Sequence, residues 1–267
     1  MKADIIIDVN AYIGHYPFRK TKYKTAADLI GQMDGFGIDK CCAASLNAIY
    51  YKDCMQGNEE LLEEIKPYAD RLIPFCVINP DYNGAQKDFI LCVEKLGFKG
   101  LRLFPKQHGY SLDGESAVGL LRLAGEMGIP VHIPIQLEDL RGHHPLDAAV
   151  PVDADEITRA ALLSPKTDII LSNAYLQYYA PVIETACRGR AGRVYYDIAR
   201  VDCIYQSSMD ELIGAAGYAR IVLGTGAMLQ NIAVQFVKLH YMGAILGTTP
   251  VQLNDIKGGN LIKLLKM

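Results

Sequence analysis

Tryptophan is absent from the 267 residues, and so is any apolar run that approaches bilayer length. A membrane-spanning helix needs about 20 apolar residues, so none is expected. Charge of either sign is in short supply. Lys and Arg number 27 against 30 Asp and Glu, for a formal net charge of −3, and no block of like charges stands out. That balance excludes the broad basic footprint of a nucleic-acid binder. Neither nucleic acid nor membrane is therefore expected as a partner. The start, Met1-Lys2-Ala3-Asp4-Ile5, lacks the apolar core of a secretory signal, which points to a cytoplasmic protein. No CxxC occurs among the seven cysteines, Cys41, Cys42, Cys54, Cys76, Cys92, Cys187 and Cys203. An odd count in apolar surroundings predicts buried free thiols rather than disulfides or a zinc knuckle. GxGxxG and Walker A motifs are also missing, which removes two common nucleotide cradles.

The chain is 50% hydrophobic and 21% charged, an ordinary globular composition. A chain of this mass buries roughly 73% of its surface on folding, enough for a sizeable core. No linker or repeat divides it, so residues 1–267 are expected to form a single domain. Short β-rich runs alternate with amphipathic stretches. Strands are predicted at 5–9, 40–45, 72–78, 100–104, 131–135, 168–172, 194–198 and 221–224. Helices are predicted at 26–36, 58–69, 85–96, 115–127, 154–163, 181–187 and 210–216, followed by 227–244 and 250–265. Eight strand–helix pairs joined by right-handed crossovers suit a (β/α)₈ TIM barrel of the α/β class, with an extra C-terminal helix. An open doubly wound sheet is the alternative.

Reactive groups of a parallel barrel sit at the carboxyl ends of its strands. Strand one delivers Asn10, Tyr12 and His15, and strand four delivers Arg102, Lys106 and His108. After strand five comes a polar cluster holding Gln136, Glu138, Asp139, Arg141, His143 and His144. Strand six ends at Asn173, strand seven at Asp197 with Arg200, and strand eight at Thr225 with Gln230 beyond. Arginine and lysine at one mouth suit a carboxylate or phosphate ligand, so a small anionic substrate is expected, held by Arg102, Lys106 and Arg141. Asn10, Tyr12, Gln136, Glu138 and Asn173 complete the expected binding surface. Asp197 and His143 or His144 are the expected proton carriers. Sixteen tyrosines, three of them at 175, 178 and 179, leave room for a pocket wall or a homo-oligomer interface.

Four segments carry a family likeness. They are 7–14 (IDVNAYIG), 77–80 (VINP), 97–105 (GFKGLRLFP) and 255–262 (DIKGGNLI). In this order they resemble the amidohydrolase-related family of metal-dependent hydrolases. That resemblance implies a TIM barrel with hydrolase or decarboxylase chemistry. It also implies His-x-His on strand one, a His ending each of strands five and six, and an Asp after strand eight. The corresponding positions here are Asn10 and Tyr12, Pro134 with Gln136 beyond, Asn173, and Gly226. Tyr, Pro and Gly do not replace imidazole or carboxylate donors, and Asn is a weak ligand. No metal and no other cofactor is therefore expected. Three readings follow: a hydrolase or decarboxylase working without the usual metal, a non-catalytic binder of a metabolite or partner, and a metal enzyme with relocated ligands. The last would draw on His15, His143 or His144 with Glu138 or Asp139.

Overall fold

The computed structural model describes residues 5–139, 141–202 and 206–267. Eight strands run β1 Ile7–Ile13, β2 Lys40–Ser45, β3 Leu72–Val77, β4 Gly100–Arg102, β5 Val131–Pro134, β6 Ile169–Ser172, β7 Val194–Asp197 and β8 Ile221–Val222. They form one sheet in sequence order, and each strand pairs parallel to the next. Hydrogen bonds from Val9 N to Leu223 O (2.9 Å) and from Gly226 N to Asn10 O (2.8 Å) bring β8 back to β1. The chain is thus a (β/α)₈ TIM barrel. Nearly every strand residue is buried, because helices cover the outside and side chains fill the inside.

The helices are α1 Ala26–Phe36, α2 Leu46–Tyr50, α3 Cys54–Ile65, α4 Ala85–Glu94, α5 Pro105–His108, α6 Glu115–Met127, α7 Ala154–Leu163, α8 Leu176–Ala186, α9 Gln206–Ala216, α10 Ala233–Ala244, α11 Pro250–Asn254 and α12 Asn260–Leu265. Local chemistry fixes several ends. Thr25 and Asp28 make a reciprocal capping box at α1, and Gly37 closes it in the left-handed region. A π-helical turn, Asp255–Gly259, joins α11 to α12 in place of the single helix predicted over 250–265. The short helices α2 and α5 follow β2 and β4 directly and were not expected.

Other predicted boundaries moved by a few residues. Strand β1 continues to Ile13 rather than ending at residue 9, because its polar residues face the barrel interior. Helix α8 begins at Leu176, not at 181, and carries Pro181 inside it. The six described cysteines are buried free thiols, while Cys203 lies outside the described residues. No helix among the described residues is long and apolar enough to cross a membrane.

Candidate functional site

Strand β1 carries Asp8, Asn10 and Tyr12, and its register against β2 shifts between Asp8 and Ala11. All three are buried. Asp8 is committed to the seam with β8. Its carboxylate accepts from Thr225 Oγ1 (2.5 Å), Thr225 N (2.9 Å) and Asn10 N (2.8 Å). Burial nevertheless lifts its pKa to about 6.

Above Asp8 lies a set of interlocked amides. Asn10 Nδ2 donates to Asp197 Oδ2 (2.8 Å) and to Asn173 Oδ1 (3.0 Å). Gln230 Nε2 donates to the same Asn173 oxygen (2.9 Å), and Asn173 Nδ2 reaches Tyr12 Oη at 3.4 Å. Asn173 adopts φ 61°, a left-handed conformation that asparagine tolerates better than most residues. That bend at the end of β6 belongs to the residue whose amide joins Asn10, Gln230 and Tyr12.

Asp197 closes β7 with no solvent exposure. Its Oδ1 accepts from Ala199 N at 2.7 Å. Burial is the largest influence on it and pushes its pKa up to about 7, with the neighbouring Asp8 adding to the rise. Gly224 is required beside it: a Cβ there would lie 2.2 Å from Asp197 Oδ2.

Arg102 on β4 enters the same interior. Its guanidinium lies 4.7 Å from the Tyr12 ring centroid and 5.9 Å from that of Phe75. Nη2 donates to Val9 O (3.1 Å) and Cys42 O (3.0 Å). Nε and Nη1 are buried without a hydrogen-bond partner. The buried His132 shares a hydrogen bond with Ser172 Oγ at 2.7 Å, and burial holds its pKa well below the ordinary value.

The remaining predicted residues lie in other groupings. Gln136, Asp139 and Arg141 line a cavity of about 240 Å³ with Pro151, Ala174, Tyr175 and Tyr179. Arg141 grips the Asp139 carboxylate through Nε (2.9 Å) and Nη2 (2.7 Å), which holds the Asp139 pKa at about 2. Arg200 approaches Asp139 at 3.5 Å, and its Nε is buried without a hydrogen-bond partner. Glu138 pairs with Arg19 at 2.5 Å. Lys106 pairs with Glu156 of α7 at 2.6 Å. His143 is half-buried; His144 is exposed, stacked on Phe18 at 6.0 Å, and accepts from Leu146 N.

The structure therefore brings together Asn10, Tyr12, Arg102, Asn173 and Asp197. It groups Gln136 with Arg141, and gives Glu138 and Lys106 separate partners. Sequence reasoning passed over Asp8, two residues before Asn10 on β1. It also passed over Gln235 and Lys238, two polar residues three apart on a largely apolar helix.

These residues do not make a divalent-metal site. The donors at the barrel centre are three primary amides, a tyrosine phenol pushed up to about pKa 12, and Asp197. A buried guanidinium stands among them. A side chain at Gly226, where the family resemblance implies an aspartate, would collide with Gln230 Cδ at 2.6 Å. Among the described residues, no three His, Cys, Asp or Glu side chains are placed to hold an ion.

A closed parallel barrel with polar groups gathered at the carboxyl ends of its strands is the architecture of TIM-barrel enzymes. The amidohydrolase family model matches residues 47–265, and the chain belongs to that family. No curated protein sequence matches it. A 2,6-dihydroxybenzoate decarboxylase solved with 2,6-dihydroxybenzoate superposes with a TM-score of 0.70 at 15% identity, covering 100% of this chain and 99% of that one. Dihydroxybenzoic acid decarboxylase from Polaromonas sp. JS666, with bound manganese and the inhibitor 2-nitroresorcinol, gives 0.74 at 16%, covering 98% and 97%. A manganese complex of 5-carboxyvanillate decarboxylase from Novosphingobium aromaticivorans gives 0.74 at 16%, covering 98% and 96%. At these identities the likeness carries the fold. The family match begins at residue 47, downstream of the strand that bears Asn10 and Tyr12.

Proposed function

We propose that the chain is a decarboxylase-type lyase acting on a small anionic aromatic carboxylate, with Asp197 as the proton donor. The observation that carries this reading is a fully buried carboxyl, with a pKa near 7, seated in a cradle of neutral amides at the end of a barrel strand. Such a group is half protonated at neutral pH, as a general acid should be. His144, exposed and stacked on Phe18, is less suited to hold a proton over a reacting carbon.

The chemistry needs one proton and no activated water. Asp197 gives its proton to the ring carbon that bears the carboxylate, and electron density from an ortho hydroxyl supports the new C–H bond. The C–C bond then breaks, CO₂ leaves, and its electron pair restores the aromatic ring. Solvent reprotonates Asp197. Arg102 and Arg200 provide positive charge towards the substrate carboxylate, with Gln136 and Arg141 at the rim. Decarboxylase relatives of the same fold that bind dihydroxybenzoate or nitroresorcinol support the substrate class.

A second reading has its own support. Asn10, Asn173 and Asp197 are buried and bonded to one another, as in a barrel that binds without turnover. One experiment separates the two. The protein is incubated with 2,6-dihydroxybenzoate, with and without EDTA, and CO₂ and resorcinol are measured. Turnover that survives EDTA and falls at least about 100-fold in Asp197→Asn is expected, as for loss of a general acid. A raised melting temperature without product favours the binding module, and turnover unchanged in Asp197→Asn overturns the assignment.

A further inference from the structure

Helix α10 buries polar side chains on its inner face. Its exposed positions include Val234 and Val237, while its buried face holds Gln235 and Lys238 beside Leu239 and Met242. A surface helix normally buries its apolar stripe and shows its polar one. Burying an ammonium group costs several kcal/mol unless it is well partnered, so a leucine at 238 would be the easier choice for packing alone.

The partners explain the position. Lys238 Nζ donates to Ile198 O (2.7 Å) and to Ala199 O (2.9 Å), and Gln235 Nε2 donates to Ala199 O (3.0 Å). The Ala199 N–H in turn donates to Asp197 Oδ1 at 2.7 Å. Helix α10 therefore grips the carbonyls of a turn whose amide grips the carboxyl. The titratable groups facing Asp197 are Asp8 and the neutral Tyr12 phenol from β1, and Lys238 from α10. Asn10 is neutral, and Lys238 and Asp8 act on Asp197 in opposite directions.

We propose that Lys238 is the positioning residue of the Asp197 site, its ammonium holding the carbonyls of the 197–199 turn from behind and placing a positive charge next to the turn that carries the carboxyl. The assignment of Asp197 as proton donor is the reading on which this rests. Mutual influence of Lys238 and Asp197, however, is measurable without turnover.

In wild-type protein carrying ¹⁵N-lysine, the Lys238 ammonium signal, assigned by its loss in Lys238→Arg, is expected to step with pH at the Asp197 midpoint near 7. The step is expected to vanish in Asp197→Asn. Its absence in wild type, or its survival in Asp197→Asn, overturns the proposal. In ¹³C-aspartate-labelled Lys238→Gln, which keeps donors but loses charge, the Asp197 midpoint is expected to rise by about half a pH unit or more. Lys238→Arg is expected to keep the wild-type midpoint. A Lys238→Gln protein that is less stable but titrates as wild type does shows a merely structural lysine and also overturns the proposal. Should Lys238→Gln fail to fold, the wild-type ammonium titration decides. If the couplings appear while Asp197→Asn still turns over, the functional reading fails and this one stands.

Discussion

Asp197 and Asp8 shape how the fold responds to pH, and the sign follows from their environment. Burial raises both carboxyls, to about 7 and about 6, above the unfolded value near 3.8. Their contribution to stability is therefore full below pH 3.8 and is lost as pH rises through the folded values. His132, held neutral by burial, acts in the opposite sense: its contribution is full above pH 6.5 and fades as pH falls. The bare pH profile mixes these effects, so the informative quantity is a difference. Asp197→Asn keeps the shape and removes the titration. Relative to wild type it is expected to gain a few kcal/mol between pH 4 and 8, at about 1.4 kcal/mol per pKa unit. Denaturant midpoints at both pH values check this, and a difference that does not change with pH contradicts the buried state of Asp197. At this scale the sequence was informative about placement. Strand ends named Asn10, Asn173 and Asp197 because a parallel barrel presents those positions to its mouth. It was silent on partners. Nothing in the spacing shows that Arg141 is held by Asp139, or that Lys106 is held by Glu156 across from α5 to α7. Those pairings come from loop paths that no periodicity encodes.

Three loops meet over the polar centre, and one side chain ties them. Arg19, from the loop after β1, donates to Glu138 of the loop after β5 and to Leu229 O of the loop after β8. Gln230, next to Leu229, is the residue that reaches Asn173. Arg19 thus ties the loops after β1, β5 and β8 to one another next to the residue that reaches Asn173. Arg19→Ala is expected to speed amide exchange at residues 229 and 230 by up to about fivefold, the change that a loss of at most about 1 kcal/mol gives. Because Arg19 is itself 42% exposed, global stability should fall by less than about 1 kcal/mol. Exchange mass spectrometry with a denaturant melt tests both halves, and unchanged exchange removes the tie. The elements the sequence revealed best were those with a clear stop. Helices α1, α6 and α7 fall on their predicted ranges, and Gly37 and Gly128 close the first two in left-handed geometry. The first strand was cut short because inward polar residues look like the end of a strand. Helix α8 was started late because proline is usually read as a first-turn residue.

At the scale of the whole molecule, the barrel has its family's architecture, and amides make up much of its polar centre. A divalent ion is held in proteins by carboxylates, imidazoles or thiolates that repay its dehydration. This centre offers one carboxylate, largely protonated below about pH 7, among amides that already serve one another, with a guanidinium nearby. Asp8 is occupied by Thr225. Untagged protein incubated with manganese or zinc and then dialysed is therefore expected to carry well under one ion per chain by inductively coupled plasma mass spectrometry. Its melting temperature should also not respond to millimolar manganese. That second readout is sensitive, because a site filled at 100 times its Kd adds about 2.7 kcal/mol. In a chain of this length each kcal/mol moves the melting temperature by roughly 2–4 °C. A rise of several degrees would mean that metal enters through groups outside the amide set. His15, His143, His144, Glu138 and Asp139 at the mouth would then be the first to replace, since the centre could accept an ion only by breaking the Asn10–Asn173–Gln230 chain.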